Sequence, residues 1–259
     1  MKHMNKMRKV EANLLNKIKS DGCIHLTLID PEKTPPSDAA QIAKLLEQLG
    51  TTAILVGGST IFSSLLIEKV IKAIKSVVNI PVILFPNNVS GISRYADAIW
   101  FISLLNSNNP LYITGFQALA APMIKQYGIE TIPLGYIIIG EGSTVAYVGQ
   151  AHAIPRDADK IATGYALAAE FLGMHFVYLE GGSGVKQPIS PKMVSMVKQN
   201  VSIPVIVGGG IREKESAERI AKAGADCIVT GTIIEKNTSG DKIGEIIETI
   251  RTVKNNKND

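Results

Sequence analysis

The sequence predicts a single α/β domain folded as a (β/α)8 TIM barrel. Three features predict it: eight short apolar runs rich in β-branched residues, helical periodicity between most of them, and no apolar/polar alternation within the runs. The runs lie at 24–29, 53–56, 81–85, 98–102, 134–139, 176–179, 204–207 and 226–230. Strands that are apolar throughout are buried on both faces, as in parallel sheets covered by helices. Alternating βα units imply a parallel sheet, and eight of them with right-handed crossovers favour a closed barrel over an open sheet.

Helices are expected at 39–49, 61–78, 157–172, 191–199, 213–223 and 241–253, with an extra polar, lysine-rich helix at the N-terminus. In 157–172 the apolar positions Ile161, Tyr165, Ala168, Ala169 and Leu172 recur three to four apart, and Gly173 closes the run in the manner of a C′ glycine. Only Pro86 to Asp97 separate strands three and four, with Gly91 and Ser93 inside, so a short or irregular segment is expected there in place of a packing helix. Ile80-Pro-Val-Ile-Leu and Ile203-Pro-Val-Ile-Val open strands three and seven, a repetition too weak to establish duplication.

The 259 residues are read as one domain spanning 1–259. With 46% hydrophobic and 19% charged residues there is ample material for a core. The net charge is +4, with basic residues gathered at the ends (Lys2, Lys6, Arg8, Lys9, Lys254, Lys257) and no basic block interleaved with aromatics, which argues against nucleic acid as partner. The ends read as solubilising in preference to a membrane-surface patch, and peripheral membrane contact stays open. Cys23 and Cys227 are single, without metal-site spacing, and fit a reducing, cytoplasmic setting. No apolar run reaches the roughly 18 residues of a membrane span, and no signal peptide is recognisable at the N-terminus.

In such barrels the chemistry sits at the C-terminal ends of the strands. Strand six ends in Glu180-Gly181-Gly182-Ser183-Gly184, strand seven in Gly208-Gly209-Gly210, and strand eight in Gly231-Thr232. Any one glycine loop is explained as a tight turn. Three on adjacent late strands favour a phosphate site, because glycine lets backbone N–H groups approach an anion and a following helix adds its positive dipole end. The nucleotide loops GxxxxGK[ST] and GxGxxG are absent between strand and helix, and no predicted strand carries the lysine a Schiff-base aldolase would need.

Asp30 follows strand one directly, where a carboxylate could ligate Mg²⁺, although an Asp before Pro also caps turns. Ser59 and Thr60, after Gly57-Gly58, add hydroxyls beside it or cap the next helix. Glu180, beside Tyr178, is a lone carboxylate in a site built for anions, and reads as a general base. His25 and Tyr178 could equally fill barrel layers. His3, His152 and His175 lack metal-ligand spacing and read as non-catalytic. Trp100, the one tryptophan, is either ordinary core or a wall limiting the length of an apolar ligand.

Taken in order, Leu26-Thr-Leu-Ile-Asp-Pro-Glu-Lys33, Ile54-Leu-Val-Gly-Gly-Ser59, Ala146-Tyr-Val-Gly149, Tyr165-Ala-Leu-Ala-Ala-Glu170, Val177-Tyr-Leu-Glu-Gly-Gly-Ser-Gly184 and Val205-Ile-Val-Gly-Gly-Gly-Ile211 resemble the archaeal geranylgeranylglyceryl phosphate synthases. The likeness runs from about Ile24 to Ile234. It implies a barrel enzyme joining geranylgeranyl diphosphate to the C3 hydroxyl of sn-glycerol 1-phosphate with Mg²⁺, and a homo-oligomer. Asp30 and Ser59 match the family's magnesium positions. Tyr178, Leu179, Glu180, Gly181, Gly182, Ser183, Gly184, Gly209, Gly210, Gly231 and Thr232 match its glycerol-phosphate loops, with Glu180 at its base position and Tyr178 beside it.

A bacterial branch with longer prenyl substrates carries a lysine two residues before the strand-one aspartate, where this chain has Leu28, which argues against that branch. Gly181 stands where the family loop often has alanine, so a slightly looser backbone is expected. Two other readings share the glycine loops: a phosphosugar isomerase or lyase, and a non-catalytic carrier of prenyl phosphates.

Overall fold

The structure, a computed structural model, describes residues 9–60, 63–231 and 240–255. Thr232, the predicted helix start at 61, the basic residues Lys2, Lys6, Arg8 and Lys257, and His3 lie outside them.

Eight parallel strands close into a barrel in sequence order, β8 pairing back onto β1 through Ile24↔Cys227 to Thr27↔Thr230. The strands are β1 Ile24–Ile29, β2 Ala53–Gly57, β3 Val82–Phe85, β4 Ala98–Leu104, β5 Glu130–Ile138, β6 Phe176–Glu180, β7 Val205–Gly208 and β8 Cys227–Thr230. The helices are α1 Lys9–Asp21, α2 Pro36–Leu49, α3 Ser64–Lys75, α4 Phe116–Tyr127, α5 Thr144–Val148, α6 Asp159–Phe171, α7 Pro191–Asn200, α8 Lys214–Lys222 and α9 Asp241–Asn255.

Two apolar layers result from the two-residue period of the strands. Leu26, Leu55, Ile83, Trp100, Leu134 and Phe176 fill the barrel interior, while Ile54, Val56, Leu84, Ile99, Val177 and Leu179 face the surrounding helices. The lower end is plugged by α1, whose Leu14 joins the interior layer. The Glu130 carboxylate at the start of β5 accepts from the N–H groups of Val10 and Glu11 at 2.9 and 2.8 Å, capping that helix where its unpaired donors and positive dipole end favour an anion.

The segment after β3 contains only a 3-10 turn, Val89–Gly91, in which the Asn88 side chain accepts from Ser90 N–H, so the expected irregular connection is present. β3 and β4 are paired only at Ile83↔Ala98 and Leu84↔Ile99, whereas β4 and β5 stay in register over seven pairs. Above Leu84 the barrel wall is therefore unpaired between β3 and β4.

Several details differ from expectation. α4, preceded by a wide turn over Leu111–Gly115, and the five-residue α5 have no counterpart among the predicted helices. Pro122 interrupts an otherwise helical spacing of Phe116, Ala120 and Ile124, and obscures it. β5 starts at Glu130, four residues early, because its pairing with β4 outweighs the donor missing at Pro133.

On α6 the buried face is Ala162, Thr163, Ala166 and Ala169, whereas Ile161 and Leu172 are exposed. The helix lies too close to the sheet for large side chains: a Cβ on Gly135 of β5 would fall 2.6 Å from the Ala169 Cβ. Gly173, at φ +80°, ends α6 with its N–H on Glu170 O and that of Met174 on Ala169 O, the predicted C′ glycine in a Schellman arrangement.

Candidate active site

A cavity of about 1370 Å³, measured out to its open mouth, occupies the C-terminal end of the barrel. Its inner wall carries Glu180, Ser183, Gly184, Gly209, Gly210 and Gly231, from the ends of β6, β7 and β8. From there it runs past Phe85 and Tyr178, over the split between β3 and β4, to an apolar trench lined by Ile92, Ile99, Phe101, Tyr112, Ala120 and Ile124. The missing helix after β3 and the wide turn before α4 leave that trench open.

The loop backbones take up conformations that require glycine. Gly182, Gly184, Gly209 and Gly210 all have φ between +75° and +99°, a region closed to most side chains. Gly208 meets a different demand, since a Cβ there would lie 1.9 Å from the Tyr178 hydroxyl. Not every amide is offered to a ligand: Gly181 N–H donates to Gly208 O at 2.9 Å and Gly182 N–H to Glu180 Oε1 at 2.5 Å. Of the predicted loops, Ser183, Gly184, Gly209, Gly210 and Gly231 line the cavity.

Glu180 is 7% exposed at the centre of this arrangement. Tyr136 donates its hydroxyl to Oε2 at 3.1 Å, and Tyr178 also donates to the carboxylate. Phe85, Tyr136 and Tyr178 contact one another through ring centroids 5.1–5.7 Å apart and shield it from water. Burial therefore raises the Glu180 pKa above the ordinary carboxylate value, partly opposed by the Gly182 N–H and the two tyrosines. Burial first and the Glu180 charge second push both tyrosines well above their usual range, so they act as neutral donors.

Asp30 follows β1, the neighbour of β8 and three strands round the barrel from Glu180. Its Oδ1 accepts from Glu32 N–H at 3.0 Å, and its Oδ2 is 3.5 Å from Lys33 Nζ. Gly58, which lines the cavity together with Ser59, packs against it so closely that a Cβ would come within 2.9 Å of the carboxylate. Leu28 lines the cavity.

Trp100 is fully buried, lines the cavity floor and meets Phe176 edge-on at 5.2 Å. Leu179 does not join the site through its side chain. The alternation along β6 that turns Tyr178 and Glu180 inward turns Leu179 into the sheet–helix layer.

His25 and His175 make contacts away from Glu180. His25 bridges Thr51 and Thr230 through its two ring nitrogens, each 2.9 Å from a hydroxyl. His175 pairs with Glu11 of α1 at 2.8 Å.

Sequence reasoning missed Tyr136 and the cavity-lining Arg212. Tyr136 is the register partner of Tyr178, and the signal was a tyrosine at an inward position in each of two neighbouring aliphatic strands. Arg212 sits two residues past the last glycine of the β7 loop.

Residues 16–250 match the PcrB family. The chain is 51% identical to the geranylgeranylglyceryl phosphate synthase of Thermofilum pendens over 94% of its length and 95% of the relative's. It is likewise 51% identical to the synthase of Pyrococcus abyssi, over 96% and 98%. The crystal structure of (S)-3-O-geranylgeranylglyceryl phosphate synthase from Thermoplasma acidophilum, in complex with its substrate sn-glycerol-1-phosphate, superposes with a TM-score of 0.89. It is 46% identical, covering 92% of this chain and 97% of that one.

Proposed function

The chain belongs to the PcrB family, and from that premise we propose that it joins geranylgeranyl diphosphate to the C3 hydroxyl of sn-glycerol 1-phosphate. The observation that carries this reading is the continuity of one cavity, which has glycine-loop amides at one end, a buried carboxylate in the middle and an apolar trench at the other. A phosphorylated polyol fits the first end and a polyprenyl chain the last, so the two reacting ends would meet at Glu180.

In the reaction the C3 oxygen forms a bond to C1 of the prenyl chain. The C1–oxygen bond to diphosphate breaks and its electron pair leaves with diphosphate, while Glu180 takes the hydroxyl proton. The buried position raises the proton affinity of Glu180, as suits a base, and the Gly182 N–H and the tyrosine hydroxyls hold its oxygens in place. The loops following β6, β7 and β8 orient the phosphate.

The residues around Asp30 fit Mg²⁺: a carboxylate with its side chain 13% exposed, room left by Gly58 against it, and Ser59 next in the chain in the cavity wall. Among the described residues no group of three or more His, Cys, Asp or Glu is placed to hold a metal, so substrate oxygens and water would complete the shell, as is common for this ion. Bound there, Mg²⁺ would neutralise the departing diphosphate.

Trp100 would end the trench and limit prenyl length. Self-association and peripheral contact with a lipid surface belong to the same reading. Exposed Phe171 and Leu172 at the end of α6, and Leu111 and Leu119 near the trench, supply apolar surface for them. Among the described residues no helix is long and apolar enough to cross a membrane. Cys23 and Cys227 are buried thiols in different apolar layers, which suits a reducing cytoplasm.

Incubation with radiolabelled sn-glycerol 1-phosphate, Mg²⁺ and geranylgeranyl diphosphate, followed by butanol extraction, tests the reading. Label in the organic phase is expected. Label confined to water, with substrates intact, would leave only a carrier, and conversion of glycerol phosphate without prenyl diphosphate would indicate an isomerase or lyase.

A further inference from the structure

We propose that Arg156 is a positioning residue for Glu180, acting through the peptide unit that joins Gly181 to Gly182. The inference rests on the base role given to Glu180 above. Arg156 donates from Nη2 to Gly181 O and from Nη1 to Gln187 O, both at 3.1 Å, and so spans the loop that follows β6. In a trans peptide the C=O and the next N–H point in opposite directions. The unit held by Arg156 at Gly181 O therefore turns Gly182 N–H the other way, where it meets Glu180 Oε1 at 2.5 Å. The guanidinium stands behind the loop and is not part of the cavity wall.

Other features of the fold serve this contact. Gly140, at φ +80°, lies against the guanidinium so closely that a Cβ there would fall 2.7 Å from Nε. The chain before Arg156 is pinned to the end of β5 by Ile154 N–H on Ile138 O and by Gly140 N–H on Ile154 O. Ile139 N–H bonds in turn to the backbone O of Glu180. Arg156 is thus fixed to the same strand ends as the carboxylate it serves. On the far side Gly182, at φ +99°, abuts Ser143, whose Cβ would be 2.5 Å from any side chain added there. Without Arg156 the peptide unit loses the partner that sets which way it faces.

The groups facing Glu180 are Tyr136 from β5, Tyr178 from β6, the Gly182 amide, and the Gly209 backbone from the end of β7, with Arg212 lining the same cavity. Both tyrosines stay neutral throughout the working range. The Gly182 N–H opposes burial more strongly than either tyrosine in holding the Glu180 pKa down. Its loss should raise that pKa and move the acid limb of kcat/KM to higher pH.

The test is the pH profile of kcat/KM for wild type, Arg156→Ala and Arg156→Lys, with melting curves and calorimetric binding of sn-glycerol 1-phosphate. Arg156→Ala should lose roughly tenfold to hundredfold in kcat, the range for one hydrogen bond to a charged group. Its acid limb should rise, and added guanidinium ion should restore part of the rate. Arg156→Lys, which keeps the charge and one donor, should fall between, and decides the matter if the alanine variant does not fold. An acid limb unmoved in the folded variants, or a rate loss that tracks lowered melting temperature and resists guanidinium, overturns the proposal. An inactive wild type would instead sink the prenyltransferase reading, so the two failures are distinct.

Discussion

The Tyr136 hydroxyl lies 3.1 Å from Oε2 of Glu180, and both are buried. A phenol donating to a carboxylate in a water-poor site lowers the carboxyl pKa. Tyr136→Phe removes that donor while keeping the ring, so the acid limb of kcat/KM should move to higher pH and activity below it should fall roughly tenfold or more. A pH profile coincident with wild type would show that Tyr136 contributes packing alone.

Glu180→Gln should lower kcat by roughly 100-fold or more, the usual worth of a positioned base, while sn-glycerol 1-phosphate still binds in a calorimeter. Stability should respond in the other direction. Burial raises the folded-state pKa of Glu180, so its favourable contribution is present below the unfolded value and is lost as pH rises through the folded one. At pH 8 the neutral glutamine should melt at or above the wild-type temperature, and a marked drop would contradict this account of burial.

His25 makes the opposite pH prediction. Burial, and secondarily the Arg251 charge, lower its pKa to about 3, so the unfolded chain takes up its proton first as pH falls below 6.5. The stability at stake between pH 6.5 and 3 is on the order of 5 kcal/mol, at about 1.4 kcal/mol per pH unit. Denaturant midpoints measured across that range should fall for wild type, and fall less steeply for His25→Gln.

Trp100 lines the cavity floor and packs on Phe176. Trp100→Ala should cost about 3–5 kcal/mol of stability and extend the trench inward. Assayed below its melting range with prenyl diphosphates longer than C20, it should accept them better than wild type does. An unchanged chain-length profile would assign Trp100 to the core alone.

Two glycines should behave differently. At Gly181 a Cβ would meet its nearest atoms at 3.4 Å, an ordinary contact, without positive φ. Gly181→Ala should be neutral or stabilise by about 0.4–1 kcal/mol through the unfolded chain. Gly208→Ala would place a methyl 1.9 Å from the Tyr178 hydroxyl and should lose both stability and activity. Thermal melts and the extraction assay on both variants check the contrast.

The sequence alone determined the barrel, the absence of a helix between β3 and β4, and the glycine loops at the ends of β6, β7 and β8. These features are local. Runs buried on both faces, turn glycines and short connections leave their mark on consecutive residues. Glu180 and Asp30 were legible for the same reason, since each directly follows or ends a strand whose upper end faces the site.

Tertiary structure decided what depends on residues far apart in the chain. α6 buries alanines in place of Ile161 and Leu172 because the sheet approaches too closely at Gly135. Pairing with β4 sets where β5 begins. Tyr136 reaches Glu180 across 44 positions, and Arg156 orients a peptide unit 25 positions away. No periodicity records such contacts, because the distance between two side chains on neighbouring strands is fixed by register and barrel closure, which exist only once the chain has folded.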